Sequence, residues 1–209
     1  MFLFTRAGRF APGSIRDAMG FVRAVTEKVQ QETGLDIQAW ASTMSPEQGT
    51  TVWAAFVEDL EHLEEANDKL ATSDSYIDLV EGGARLFAGP VSDGLAQVVS
   101  GQPEPSAPRP QYVTTARARA ANGQLSAALA NGVEIAEAAT RITGAPTMFL
   151  VDATGAYGGC RWTTGFADIG ALERAESALM ADESWVALID RAGPSYAADA
   201  RQAIYRRIS

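Results

Sequence analysis

The sequence predicts an α+β protein in which one βαββαβ unit occurs twice in succession. The main observation is an internal repeat: residues 53–81 align without a gap with residues 162–190, at a constant offset of 109 and with 8 identities in 29 positions. The order of helical and strand patterns also repeats, and a Pro-rich segment separates the two copies. The identical pairs are Trp53/Trp162, Asp59/Asp168, Leu63/Leu172, Glu64/Glu173, Ala66/Ala175, Leu70/Leu179, Ser75/Ser184 and Leu79/Leu188. We therefore predict one fold encoded twice.

In the first copy, changes in hydrophobic period mark the elements. A strand at residues 2–9 is followed by Ser14, which is placed as the N-cap of a helix, and then by apolar residues at helical spacing until Gly34. Gly34 can adopt the left-handed conformation that ends many helices. The period then changes to two, and a turn with Pro and Gly leads into a strand at residues 50–57. This pattern predicts a β-hairpin after the first helix.

Side chains suited to helix capping mark the starts of two further helices. Asp59 and Ser73 are placed to accept hydrogen bonds from the first free backbone amides, and Asp168 and Asp182 hold the equivalent positions in the second copy. A last strand at residues 95–99 completes the first copy.

The second copy repeats this order after a stiff connector. Residues 101–110 hold four prolines, and such a segment is extended and cannot join the interior of a sheet. A strand at residues 111–119 follows, with Asn122 as the predicted N-cap of the next helix. We therefore predict a first repeat at residues 1–100 and a second at residues 111–209, joined by the linker.

Composition and charge restrict the possible partners. The net charge is −9, and the first 100 residues carry 7 basic and 15 acidic side chains, so phosphate backbones are not attracted. We expect no nucleic-acid partner, and we expect other protein subunits to bind through the acidic face of the first copy.

The sequence also lacks the patterns of membrane insertion and export. No window approaches the 18 apolar residues of a membrane span, and the apolar run at the start is too short for a signal peptide. We expect a protein without a membrane partner that stays in the cytoplasm or in a particle assembled there.

The order of elements, the Trp53 and Trp162 strands and the Asp-capped helix pairs resemble the dimeric α+β barrel superfamily. Its ferredoxin-like members include the antibiotic-biosynthesis monooxygenases, the EthD-like proteins and the NIPSNAP-type proteins, and the resemblance covers nearly the whole chain. It implies two ferredoxin-like repeats whose antiparallel sheets pack face to face as an intramolecular barrel. The superfamily supports cofactor-free oxygenation, haem breakdown, isomerisation, and binding or assembly, so the fold alone does not choose among them.

The haem-degrading members of this superfamily differ from the chain at each functional position. They use an asparagine on the first strand, where this sequence has Thr5 and Arg6, and a tryptophan and a histidine in a helical region that has neither here. The single histidine, His62, lies too early in the chain. We therefore expect no haem and no other cofactor.

Two tryptophans and two polar residues are candidates for a ligand pocket. Trp53 and Trp162 hold equivalent positions on the third strand of each copy and could line a pocket for a flat aromatic ligand, with Arg6 and Tyr157 holding an anionic group. The alternative is that both indoles fill volume under a helix and that the arginine is paired at the surface.

The helix after Asp59 is strongly acidic. Glu58, Glu61, Glu65 and Asp68 lie near His62, and an aspartate three residues before a histidine resembles half of a carboxylate-bridged metal site. The second copy has no such histidine, so the pattern favours a solvated acidic interaction face and no metal.

Cys160 shares a strand with Trp162 and is the single cysteine of the chain. A nucleophilic cysteine needs a histidine base or a helix N-terminus, and the only histidine lies in the other copy. The pattern favours a small buried apolar residue, and we predict no catalytic residue.

Because no polar catalytic constellation is present, we predict a non-catalytic structural or protein-interaction module: a self-paired barrel held in a larger assembly such as a virion. The alternative is a cofactor-independent monooxygenase or isomerase, or a small-molecule binder, that acts on an aromatic hydrophobic ligand. The two differ in whether the space between sheet and helices is a reachable cavity or is packed solid.

Overall fold

A computed structural model describes residues 1–103 and 108–208 and builds each copy of the repeat from four strands, three α-helices and one 3₁₀ turn. The first copy contains β1 (Phe2–Arg9), α1 (Ile15–Thr33), β2 (Gln38–Thr43), β3 (Thr50–Val57), α2 (Leu60–Ala71), α3 (Asp74–Gly83), a 3₁₀ turn (Ala84–Leu86) and β4 (Ser92–Ser100). The second copy contains β5 (Tyr112–Arg119), α4 (Leu125–Thr143), β6 (Thr147–Asp152), β7 (Gly159–Phe166), α5 (Ile169–Ala181), α6 (Glu183–Ala192), a 3₁₀ turn (Gly193–Ser195) and β8 (Arg201–Arg207). Both copies therefore have the predicted βαββαβ order.

The eight strands close into one barrel in the order β1-β3-β2-β8-β5-β7-β6-β4. Within each copy the first and second strands pair antiparallel with the third. This confirms the predicted fold class, an α+β protein whose two ferredoxin-like repeats form an intramolecular dimeric α+β barrel.

The chain forms two compact units, residues 1–95 together with the C-terminal residues from Arg206 onward, and Ala96–Tyr205. In the predicted linker at 101–110, residues 104–107 lie outside the described residues. Among the described helices, none has the length and apolar content needed to cross a bilayer.

The core of the first unit lies between α1 and the sheet. One face of α1 is buried because its apolar residues recur every three to four positions, so they form a stripe that faces the sheet. The buried stripe contains Ala18, Val22, Val25, Thr26 and Val29. The helix ends where Gly34 takes the predicted left-handed conformation, with φ of 75°.

Four of the predicted caps act through their side chains, and one of them is Ser73, which accepts a hydrogen bond from the amide of Tyr76 at 3.4 Å. Asp59 accepts a hydrogen bond from the amide of His62 at 2.9 Å, and Asp168 accepts one from Ala171 at 2.7 Å. Asp182 accepts one from Trp185 at 3.0 Å. These bonds satisfy amides that have no partner inside the helix, so each cap determines where its helix begins.

The predicted N-cap of α4 is wrong: the helix starts after Gln124, not after Asn122. Gly123 has a positive φ of 76°, so Asn122 lies in a turn before the helix. Ser14, the residue of the first copy that is equivalent to Gln124, is at the predicted N-cap position, but its hydroxyl donates to the carbonyls of Ala11 and Leu86 and caps no amide of the helix.

Candidate functional site

The first unit contains a cavity of about 260 Å³ between its sheet and its helices. Strands β1 and β3, helices α1, α2 and α3, and the segment that leads into β4 all contribute to its wall. The lining residues are Arg6, Phe21, Val25, Val29, Ile37, Trp53, Leu70, Tyr76, Val80, Gly83, Ala84, Phe87, Gly89, Pro90 and Val91. Most of these side chains are apolar, so the cavity offers mainly hydrophobic contact.

Trp53 forms the sheet side of the cavity and is held in one orientation. Its indole N–H donates to Oγ1 of Thr26 at 3.2 Å, and the Thr26 hydroxyl donates to the Val22 carbonyl at 2.8 Å. Because the indole N–H already has a partner within the protein, the ring presents apolar surface to the cavity.

Three aromatic rings line one part of the cavity. Phe87 lies 6.1 Å from Trp53 and 5.8 Å from Phe21, measured between ring centroids, and the Phe21 and Phe87 rings meet edge to face at 69°. Such tilted pairs are favourable arrangements of aromatic quadrupoles. They give the cavity a rigid aromatic wall.

Two glycines provide the space that these rings occupy. A Cβ at Gly83 would lie 2.0 Å from the Phe21 ring, and a Cβ at Gly8 would lie 2.7 Å from the Phe87 ring. Neither distance is compatible with a side chain at these positions unless the ring moves. The shape of the aromatic wall therefore depends on two residues that have no side chain.

Arg6 is the one charged residue among those that line the cavity, and its charge is matched. Its Nε and Nη2 atoms donate to the two carboxylate oxygens of Asp93, each at 2.7 Å. The hydrogen bonds to Asp93 raise the pKa of Arg6 above its usual value, burial opposes that shift, and Tyr76 adds to it. The bidentate pair leaves this edge of the cavity polar but without net charge.

Solvent reaches the cavity past exposed lining residues. Val80 on α3 and Val91 before β4 both line the cavity, and they expose 37% and 45% of their surface. A ligand can therefore approach between α3 and the segment that enters β4.

The structure places the four predicted pocket residues in different surroundings. Arg6 and Trp53 line the cavity of the first unit together. Trp162 lies in the second unit, where its indole N–H donates to the Gly132 carbonyl at 2.8 Å and its ring packs in the core. Tyr157 lies in the turn before β7 and exposes 88% of its surface.

The acidic residues of α2 face solvent. Glu61, Glu65 and Asp68 are exposed along this helix, Glu58 is exposed just before it, and His62 is exposed among them. Their part in a protein interface stays a prediction.

Four residues of this site were not found from the sequence. Tyr76, Phe21 and Phe87 line the cavity, and Asp93 matches the charge of Arg6. One signal was available: Phe87 stands at the repeat offset from Tyr196, so both copies carry an aromatic residue after the last helix. The pairing of Arg6 with Asp93 joins residues from the two ends of the first copy, and no local pattern indicates it.

No family model and no curated protein sequence matches the chain. Solved structures match it over its whole length. A candidate monooxygenase from Fusobacterium nucleatum superposes with a TM-score of 0.73 at 9% identity, covering 100% of this chain and 92% of that one. An anthrone oxidase-like protein gives a TM-score of 0.67 at 12% identity, covering 100% and 91%. A candidate monooxygenase from Lactobacillus acidophilus gives 0.65 at 6% identity, covering 100% and 94%.

These findings correct the predicted function. The prediction of a non-catalytic assembly module, held in a particle such as a virion, is wrong: two of these three structures bear the name of a monooxygenase and the third that of an anthrone oxidase-like protein, and the findings favour the alternative of an enzyme or small-molecule binder. The prediction relied on the lack of titratable catalytic groups, but an apolar cavity needs none and leaves no such pattern in the sequence. At these identities the likeness shows the fold, and the chain has the dimeric α+β barrel fold.

Proposed function

We propose that the first unit binds an uncharged aromatic small molecule in its cavity. The observation that carries this proposal is the cavity itself: about 260 Å³ of reachable space with Trp53, Phe21 and Phe87 in its wall. Planar aromatic molecules gain both hydrophobic and ring-to-ring contact in such surroundings.

The size and charge of the cavity define the ligand class. A dry apolar cavity of about 150 Å³ takes up benzene, so this larger cavity has room for a molecule with two or three fused rings. The charge of Arg6 is already matched by Asp93, so an anionic ligand would compete with an existing bidentate pair. A neutral ligand with one polar group can instead place that group at the edge made by Arg6 and Tyr76.

Fluorescence titration with N-phenyl-1-naphthylamine, a neutral aromatic probe, tests the proposal. We expect saturable binding with one probe per chain and brighter emission, because the probe moves into apolar surroundings. Val80→Trp places a large ring where the cavity opens and should weaken binding roughly tenfold or more.

The matched control is Ile189→Trp. Ile189 stands at the repeat offset from Val80, on α6 of the second unit, and exposes 39% of its surface against 37% for Val80. We expect this variant to bind like the unchanged protein. Non-saturable binding, or equal loss in both variants, would show that the cavity is not the binding site.

A second candidate function is the oxidation of an anthrone-type substrate by molecular oxygen. The observation that favours it is the full-length structural match to candidate monooxygenases and an anthrone oxidase-like protein. In this reaction the ring CH₂ opposite the carbonyl becomes a second carbonyl: one oxygen atom of O₂ enters the ring, and the other leaves as water with the two hydrogens. The cavity would keep bulk water from the substrate, and the edge made by Arg6 and Tyr76 would hold its carbonyl oxygen.

Oxygen uptake with anthrone separates an enzyme from a passive binder. We expect the protein to raise the rate above spontaneous autoxidation, Val80→Trp to remove the increase, and Ile189→Trp to keep it. If the unchanged protein binds the aromatic probe but leaves oxygen uptake at the rate in buffer, the second candidate function is wrong and the binding function remains.

A further inference from the structure

We propose that the second unit binds a small oxyanion, a phosphate or a carboxylate group, between the guanidinium groups of Arg117 on β5 and Arg161 on β7. This site lies on the face of the sheet that is turned away from α4. It is separate from the cavity of the first unit, and the inference does not depend on the ligand proposed for that cavity.

The strand register places the two arginines side by side. Arg117 and Arg161 are directly opposed in the β5–β7 pair, and opposed residues of an antiparallel pair point to the same face of the sheet. The next residue on β7, Trp162, points to α4, since its indole N–H donates to the Gly132 carbonyl on that helix. Because successive residues of a strand alternate between faces, both arginines lie on the face that α4 does not cover.

The two arginines bring two positive charges close to one negative charge. The Nε and Nη2 groups of Arg161 both donate to Oδ1 of Asp152. Burial lowers the pKa of Arg161, Asp152 opposes this shift, and the charge of Arg117 lowers the pKa further. Within the described part of the chain Arg117 forms no ion pair, so one positive charge is unmatched here. Directly opposed like charges repel, and an anion between them would remove the repulsion.

Both arginines keep donor groups that a ligand can reach. Arg161 is only 5% exposed, and its Nη1 group has no hydrogen-bond partner among residues 1–103 and 108–208. In the same ranges no fully buried side-chain nitrogen or oxygen lacks a partner, so this Nη1 group is in contact with solvent. Arg117 is exposed. An oxyanion can therefore accept charge-assisted hydrogen bonds from both guanidinium groups at once.

The first unit shows that the fold does not require these charges. The residues that precede the two equivalent tryptophans are Val52 in the first unit and Arg161 in the second, and their partners on β1 and β5 are Ala7 and Arg117. The first unit thus has two apolar residues where the second has two arginines. Burial of a charged group costs free energy that an apolar residue avoids, so this difference favours a binding role for the pair.

Isothermal titration calorimetry with inorganic phosphate, at pH 7 and constant ionic strength, tests the inference. We expect saturable binding of one phosphate per chain. Arg117→Gln should remain folded because Arg117 is exposed, and it should weaken phosphate binding roughly tenfold or more. A parallel titration with acetate identifies the group: saturable binding of acetate that Arg117→Gln weakens, without binding of phosphate, would confirm the site as one for carboxylates.

The matched control is Arg119→Gln. Arg119 is two residues further along β5, so it lies on the same face; it is also exposed, and it pairs with Asp199 at 3.6 Å. This variant changes the net charge by the same amount, and we expect it to bind phosphate like the unchanged protein. Equal loss in both variants, or no saturable binding of either phosphate or acetate to the unchanged protein, would overturn the inference.

Discussion

Cys160 shows how burial determines the chemistry of a single residue. It lies on β7 in the core of the second unit, and its side chain is fully buried. Burial raises the pKa of the Cys160 thiol to about 11, and the nearby Asp152 carboxylate adds to the shift. The thiol is therefore protonated at neutral pH, and it packs as an apolar group.

This shift predicts a loss of stability at alkaline pH. The reference pKa of the thiol is 9.0, so between about pH 9 and 11 the unfolded chain releases the thiol proton while the folded chain keeps it. The free energy of unfolding should then fall as pH rises, by at most about 1.4 kcal/mol per pH unit for one proton. Urea titrations across this range, with Cys160→Ala for comparison, measure the effect.

The Cys160→Ala variant should lose stability less steeply over the same range, because the other ionisable groups are unchanged. The native thiol should also resist a disulfide reagent at pH 8 and react once the chain is unfolded. Equal slopes in both proteins, or rapid reaction of the native thiol, would contradict the burial of Cys160.

At the scale of elements, the end of α3 controls the shape of the cavity. Two adjacent glycines, Gly82 and Gly83, end this helix. A Cβ at Gly82 would meet nothing within 4 Å, whereas a Cβ at Gly83 would lie 2.0 Å from the Phe21 ring on α1. Helix α3 can therefore pack closely on α1 only where it has no side chain.

Alanine at the two positions should have opposite effects. Gly82→Ala should stabilise the protein by about 0.5–1 kcal/mol, because alanine loses less backbone entropy in a helix. Gly83→Ala should destabilise it by about 1–3 kcal/mol and weaken binding of N-phenyl-1-naphthylamine, because the Phe21 ring must move. Thermal melts and probe titrations of both variants measure this, and equal behaviour would show that Phe21 does not depend on the glycine.

At the scale of the whole molecule, duplication supplies both sheets of the barrel from one chain. The eight strands form a closed order, and a closed sheet has no unpaired edge that could recruit another strand. A chain with a single copy would need a second chain to reach the same arrangement.

The closed barrel predicts that the isolated protein is a monomer. We expect sedimentation equilibrium to give a mass of 22.1 kDa, independent of protein concentration over the micromolar range. A mass of twice that value would show that the closed sheet is not sufficient and that another surface joins two chains.

The order of elements could be predicted because its signals are local. Hydrophobic period separated α1 from the hairpin that follows it, and Asp59, Asp168 and Asp182 marked helix starts through side chains that bond within three residues. The local signal is ambiguous at Asn122, and the predicted start of α4 is two residues too early in the sequence.

The site could be predicted only in part. The strand positions of Arg6 and Trp53 predict pocket residues, and both line the cavity. The equivalence of Trp162 to Trp53 predicts a second pocket residue, but the Trp162 ring packs in the core of the second unit, and the side chains that surround it come from distant parts of the chain.

By itself, then, the sequence determined the duplicated βαββαβ order and the capped helices, because periodicity and capping are properties of neighbouring residues. Only the tertiary structure decided that the first unit holds a cavity with Trp53, Phe21 and Phe87 in its wall. The reason is physical: free volume depends on which side chains meet across strands and helices, and those residues are far apart in the sequence.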